Sequence, residues 1–254
     1  MKKKKSLGQH FLKNPYYLGL VADAAHIRPG EVVLEVGPGE GALTQALLER
    51  GAHIVAVEKD ARLIAALREK FGGKNVEILE GDALEFDPAH LKAKNYTLVG
   101  NIPYYITGAL FKKFLSAAHQ PSTLVFLVQK EVAQRIIGHP STRLGSQKES
   151  ILSLSVKAYG TPKYLKTVPR GAFSPPPKVD SAILSVKDIS RSNFDSAEHE
   201  AKFFELVKKG FSQKRKYLKS NIGAQYADAL KNAGVEEKAR AEDVPLSKWL
   251  NLSR

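Results

Sequence analysis

The chain has 254 residues, 43% of them hydrophobic, enough for one full domain with a smaller one attached. It contains no cysteine, which excludes disulfides, thiolate metal sites and cysteine nucleophiles. Lysine and arginine outnumber aspartate and glutamate 39 to 26, and the resulting net charge of +13 suits a polyanionic partner, most simply a nucleic acid.

A basic arm, residues 1–14, opens the chain. Met1 to Lys5 is charged like the start of a signal peptide, but Ser6-Leu7-Gly8-Gln9-His10 supplies no apolar run of the needed length. No stretch approaches the roughly 20 apolar residues of a membrane span. A soluble cytoplasmic protein without membrane contact is therefore expected. A helix is predicted over 17–26, ended by Arg28-Pro29-Gly30. Short apolar runs at 32–36, 53–58, 76–80, 96–100 and 123–128 read as strands, with helices over 42–50, 61–71, 106–118 and 131–137. Two further strands are predicted at 151–159 and 181–187, the last pair forming an antiparallel edge. Strands alternating with helices imply a parallel sheet covered on both faces. Beyond residue 188 only helical periodicity is visible. Phe204, Val207, Phe211, Leu218 and Ile222 fall on one helical stripe, which Gly210 is placed to interrupt. Domains at 1–188 and 189–254 are expected.

Four features stand at the carboxyl ends of successive predicted strands, the edge at which parallel sheets bind ligands. The first is Glu35-Val36-Gly37-Pro38-Gly39-Glu40-Gly41, where glycines permit a tight turn and close approach of a ligand to the main chain. Its spacing is one residue tighter than the dinucleotide pattern G-x-G-x-x-G, and Glu35 and Glu40 would serve a cationic or zwitterionic ligand better than a pyrophosphate. Glu58 is placed to bind a ribose diol, and Asp82 to accept from an adenine amine. Asn101-Ile102-Pro103-Tyr104 combines an amide that both donates and accepts, a proline that holds Ile102 extended, and a flat ring on which a base can stack. Lys208, Lys209, Lys214, Arg215, Lys216 and Lys219 crowd a later segment. Lys208, Arg215 and Lys219 would share one helical face as a phosphate-contacting surface.

Nearly the whole chain resembles the ribosomal RNA adenine N(6)-dimethyltransferase family of class I S-adenosylmethionine-dependent methyltransferases. The likeness is carried in order by Gly8-Gln9-His10-Phe11-Leu12, the Glu35–Gly41 loop, Glu58, Gly81-Asp82, Asn101-Ile102-Pro103-Tyr104, Gln129-Lys130-Glu131-Val132-Ala133, Phe173-Ser174-Pro175-Pro176-Pro177-Lys178-Val179-Asp180-Ser181, and Phe211-Ser212-Gln213-Lys214-Arg215-Lys216. It implies a Rossmann-like, mostly parallel seven-stranded sheet with a small C-terminal helical domain. It further implies S-adenosyl-L-methionine as methyl donor, S-adenosyl-L-homocysteine as product, and no metal. The cofactor would be held by Gln9, His10, Leu12, Glu35, Gly37, Gly39, Gly41, Glu58, Asp82 and Asn101. Catalysis would fall to Asn101 and Pro103, with Tyr104 and Phe173 as the two faces for an everted base; a hydrophobic anchor for the proline-rich loop is the other reading of Phe173. RNA would meet Lys208, Lys214, Arg215, Lys216 and Lys219. The implied substrate is a pair of adjacent adenosines in a hairpin near the 3′ end of small-subunit ribosomal RNA, dimethylated on the immature subunit by a monomer.

One segment departs from the pattern. Glu149-Ser150 stands where many relatives carry Tyr-Gly, which leaves the shape of 145–154 open. Three rival functions also stay open. The tight glycine spacing and the Asn101 motif argue against a nicotinamide-dependent oxidoreductase. Intact Glu35, Glu58, Asp82 and Asn101 argue against a purely assembly-directed RNA-binding factor. The residues after Asn101 and the Phe173–Ser181 stretch look less like a large-subunit methylase of the antibiotic-resistance type.

Overall fold

A computed structural model describes residues 9–140 and 147–254. Most of the basic arm, Gly8 of the first motif, and Gly145-Ser146 of the divergent segment lie outside the described residues. The chain divides into two compact units, one of Met1–Ala133 with Pro162–Ile189, the other of Gln134–Thr161 with Ser190–Arg254. The second unit thus adds 134–161 to the expected C-terminal stretch.

In the first unit, helix α1 (Pro15–Ala24) is capped by Asn14, whose side chain accepts from the Tyr16 amide. Next in the chain come strand β1 (Val32–Val36), helix α2 (Ala42–Leu48), strand β2 (His53–Glu58), helix α3 (Ala61–Phe71), strands β3 (Val76–Glu80) and β4 (Thr97–Asn101), helix α4 (Thr107–Leu115) and strand β5 (Thr123–Gln129). Helix α5 (Lys130–Ile137) crosses into the second unit, and strands β6 (Thr161–Val168) and β7 (Ser181–Lys187) complete the sheet. The seven strands lie in the order β3-β2-β1-β4-β5-β7-β6. The first five are parallel neighbours, and β7 runs antiparallel to β5, with Ser181 opposite Gln129.

Period-two alternation divides the strands between two faces. Val33, Ile54, Val99 and Leu127 join Leu18 and Val21 of α1, Leu43 and Leu47 of α2 and Leu67 of α3 in one core. On strand β5 the alternate residue Phe126 meets Phe111 of α4 edge-on, with ring centroids 5.4 Å apart. Phe111 and Phe114 are fully buried, each stabilising the fold by about 2–3 kcal/mol through apolar transfer. Among the described residues no helix is long and apolar enough to cross a membrane.

The strand expected at 151–159 is a helix, α6 (Ile151–Lys157). Alternation of Ile151, Leu152, Ser153, Leu154 and Ser155 imitates a half-buried strand. The local chemistry decides otherwise, because Ser150 and Ser153 form a reciprocal capping box. The divergent Glu149 is part of the same start: its carboxylate accepts from Ser153 Oγ at 2.6 Å and pairs with Lys157 at 2.7 Å. Leu154 and Ala158 then join Phe203, Leu206, Trp249 and others in the core of the second unit. The unit's remaining helices are α7 (Ala197–Gly210), α8 (Leu218–Ile222), α9 (Ala227–Asn232) and α10 (Leu246–Leu252). Helix α7 stops at Gly210, as its sequence suggested, and a Cβ there would lie 2.4 Å from the Trp249 ring.

Candidate active site

The carboxyl ends of β1 to β4 open onto one cleft, the place at which a parallel sheet of this kind binds ligands. Its walls are Gly37 and Gly39 after β1, Glu58 and Lys59 at the end of β2, Gly81 to Ala83 after β3, Asn101 to Ile106 after β4, and Gln9-His10-Phe11 from the N-terminal side. Seven of the residues expected around the cofactor therefore converge: Gln9, His10, Gly37, Gly39, Glu58, Asp82 and Asn101.

Gly37 has a left-handed φ of 69° and open space where a side chain would project, so the main chain there faces the cleft bare. A Cβ on Gly39 would meet the Phe11 ring at 2.6 Å, so this glycine admits the N-terminal segment over the loop. Glu58 fastens the loop from below: Oε2 accepts from the Gly39 amide at 3.0 Å and Oε1 from the Asp60 amide at 2.8 Å. Burial pushes its titration up while those two amides oppose the rise. Each oxygen keeps a second lone pair for a diol. Asp82 accepts from the Leu84 amide at 2.9 Å and pairs with Lys59 at 2.6 Å, and Lys59 is the main cause that holds its carboxyl below the usual range. Gln9 donates to Asp60, which also caps α3 and pairs with Arg62.

At the end of β4, Asn101 Nδ2 donates to the His10 carbonyl at 2.7 Å. A carbonyl only accepts, so this bond fixes the amide orientation and leaves Oδ1 as the acceptor. The Ile106 amide donates to the Pro103 carbonyl at 3.1 Å. The Tyr104 hydroxyl meets Ser181 Oγ at 2.8 Å, and its ring stacks on His10 with centroids 6.1 Å apart and planes 25° apart. Burial raises the Tyr104 titration, so the phenol stays neutral. His10 Nδ1 donates to the Pro175 carbonyl at 2.9 Å, which ties the N-terminal wall to the proline-rich segment.

Four expected residues lie elsewhere. Phe173 is 4% exposed, sits opposite Leu12 in a short antiparallel strand pair, and packs into the core beneath the cleft. Its ring occupies the anchor position rather than a cleft wall. Leu12 is likewise buried, although with Gly37 and Asn101 it borders a second, smaller hollow. Gly41 is packed under the Phe71 ring, where a Cβ would meet it at 2.5 Å, and starts α2. Glu35 is 1% exposed, and neither carboxylate oxygen has a hydrogen-bond partner; the nearby Thr44 hydroxyl is equally alone. Desolvation, with the charge of Glu58 adding to it, pushes its titration up to about 8. It backs the loop instead of facing the ligand.

The basic segment belongs to the second unit and does not form one helical face. Lys208 lies in α7, Lys214, Arg215 and Lys216 are exposed in the turn between α7 and α8, and Lys219 lies in the first turn of α8. The close approach of Gly210 to Trp249 breaks the rod. Lys219 pairs with Glu237 at 2.5 Å, whereas Lys214, Arg215 and Lys216 have no ion-pair partner among the described residues. Lys59 and Ser181 were not singled out from sequence as partners. Lys59 could have been, since it directly succeeds Glu58, but the Tyr104–Ser181 contact spans 77 positions and has no local signal.

A parallel sheet closed by one antiparallel strand, with a glycine loop and acids at successive strand ends, is the class I methyltransferase architecture. Two solved structures share it over nearly their full length. One is a dimethyladenosine transferase from Plasmodium falciparum, 27% identical with a TM-score of 0.81, covering 96% of each chain. The other is the 23S rRNA methyltransferase ErmE, 29% identical with a TM-score of 0.77, covering 96% of this chain and 98% of that one. The family described as ribosomal RNA adenine dimethylase matches residues 1–254, and the chain belongs to it. Relatives called ribosomal RNA small subunit methyltransferase A include those of Deinococcus radiodurans, 41% identical over 97% of this chain and 83% of the relative, and Dehalococcoides mccartyi, 40% identical over 99% and 88%.

Proposed function

We propose that this chain transfers methyl groups from S-adenosyl-L-methionine to the N6 amines of two adjacent adenosines, in a hairpin near the 3′ end of small-subunit ribosomal RNA on the immature subunit. The observation that carries the reading is the pinned Asn101 amide, its acceptor oxygen set in the cleft that Glu58 and Asp82 also line. The donor set fits the cofactor: a bare glycine main chain, a carboxylate with lone pairs left for a ribose, and a second carboxylate for an adenine amine. When bound, S-adenosylmethionine supplies an electrophilic methyl on a sulfonium. Glu58 and Asp82 would hold its nucleoside, and Gln9, His10 and Gly37 would border its amino-acid end.

The adenine amine is a weak nucleophile because its lone pair is delocalised into the ring. Asn101 Oδ1 and the Ile102 carbonyl accept its two hydrogens, which favours the pyramidal form whose lone pair points at the donor. Tyr104 stacks on the everted base, and Pro103 fixes the spacing between acceptor and ring. Positioning is then the main contribution. With the cofactor bound, the nitrogen–carbon bond would form as the carbon–sulfur bond breaks, leaving S-adenosyl-L-homocysteine, and the resulting ammonium would release its proton to water. Lys214, Arg215 and Lys216 supply phosphate contacts from the second unit, with Lys208 and the Glu237-paired Lys219 adding charge.

The test uses purified protein, methyl-labelled S-adenosylmethionine, and two RNA hairpins, one from the small-subunit 3′ end and one from large-subunit RNA. Mass spectrometry should find dimethyladenosine at two adjacent positions of the first. Transfer only to the second, or to another atom, would overturn the assignment.

A further inference from the structure

We propose that Arg170 and Lys178 grip the two phosphates flanking the everted adenosine, so that the catalytic unit carries its own phosphate clamp. The clamp rests on the methyl-transfer reading. The segment between β6 and β7 is tied to the amine site at three points. Pro175 accepts from His10 at 2.9 Å, Phe173 and Ser174 pair with Leu12 and Phe11, and Ser181 meets Tyr104 at 2.8 Å. Ala172, Phe173 and Pro177 face inward and are buried, while Arg170 and Lys178 are exposed. Prolines at 169, 175, 176 and 177 fix φ along the segment, so its cations are carried on a stiff support.

The charges on this segment are unbalanced. Its single acid, Asp180, is committed to the main chain: Oδ1 accepts from the Arg170 amide at 3.0 Å, and its carbonyl accepts from the Lys130 amide at 3.0 Å. Neither Arg170 nor Lys178 has an ion-pair partner among the described residues. Lys59, the lysine that lines the cleft itself, is by contrast matched by Asp82. Two unmatched cations on a stiff segment fastened to the wall of a cleft that receives a base are placed to meet the one charge every such base brings, a phosphate on either side. Arginine offers a planar fork to two phosphate oxygens and lysine a point charge. Such contacts fix register without reading sequence.

The experiment measures binding of a hairpin carrying two adjacent adenosines, and of the same RNA with neutral methylphosphonate linkages on both sides of the target. With the wild-type protein the neutral linkages should weaken binding about tenfold. With the Arg170→Gln, Lys178→Gln double variant they should cost less than twofold, and the salt slope should fall by about 1.4, at roughly 0.7 per phosphate of a single strand. Each single variant should lose sensitivity to one linkage, and Arg170→Lys should regain part of it. Calorimetric S-adenosylmethionine affinity within twofold of wild type verifies the fold. An equal penalty from the neutral linkages in wild type and double variant overturns the clamp. Methyl transfer to the unmodified hairpin is measured in parallel: its absence from the wild type overturns the functional reading and the clamp with it, whereas transfer with an equal penalty overturns the clamp alone.

Discussion

Replacing Glu35 by glutamine isolates one buried charge. The folded carboxyl is pushed up to about 8 from an ordinary value of 4.5, because burial desolvates it and the nearby Thr44 hydroxyl opposes the rise only in part. Folding therefore holds a proton that the unfolded chain releases between those limits. Accordingly, this group's contribution to stability is fully present below pH 4.5 and is lost as the pH rises through 8. At about 1.36 kcal/mol per tenfold difference in proton affinity, the whole loss is about 5 kcal/mol. Some 3 kcal/mol of it falls between pH 5.5 and 8.5. Glutamine keeps the shape without the titration, and other ionisable groups largely cancel when the variant is compared with wild type at each pH. Urea unfolding monitored by far-UV circular dichroism at the two pH values should show the variant gaining about 3 kcal/mol on the wild type from pH 5.5 to 8.5. A difference that does not change with pH would refute the buried, unpaired carboxyl.

Phe173→Ala should lower stability by about 3 kcal/mol, as expected for truncating a core aromatic. Unchanged stability with lost methyl transfer would put the ring in the cleft as a stacking face instead. Gly39→Ala introduces a methyl 2.6 Å from the Phe11 ring at a φ of 60°. S-adenosylmethionine affinity by calorimetry should fall at least tenfold, and a change under twofold would remove the loop from the cofactor wall. Neutralising Lys214, Arg215 and Lys216 together should flatten the log–log salt dependence of RNA affinity by about 2 to 3. An unchanged slope would rule these residues out as phosphate contacts.

Much of the fold was legible because central parallel strands are buried on both faces and read as unbroken apolar runs. Val32–Val36 and His53–Glu58 stand where their composition placed them. The edge strand Thr161–Val168 was not legible. Its side chains are half exposed, and Pro162, Lys163 and Lys166 dilute the pattern. The preceding Ile151–Lys157 segment carried a false alternation that only the Ser150–Ser153 capping box resolves. The cleft acids were readable from their place at strand ends, since topology alone brings them together. What the sequence could not reveal was the depth of each residue. Glu35 and Gly41 are close neighbours in sequence of Gly37 and Gly39, which line the cleft, yet both pack behind the loop. The ring of Phe173 turns inward because Leu12, distant in sequence, supplies its partner.

The most direct measurement is single-turnover methyl transfer by Asn101→Ala at saturating hairpin and S-adenosylmethionine. The expected result is a rate at least about 100-fold below wild type, the scale of losing one positioned hydrogen-bonding group from a reacting centre, with cofactor affinity held within a few fold. Transfer at the wild-type rate would contradict the role of the Asn101 oxygen as acceptor for the adenine amine.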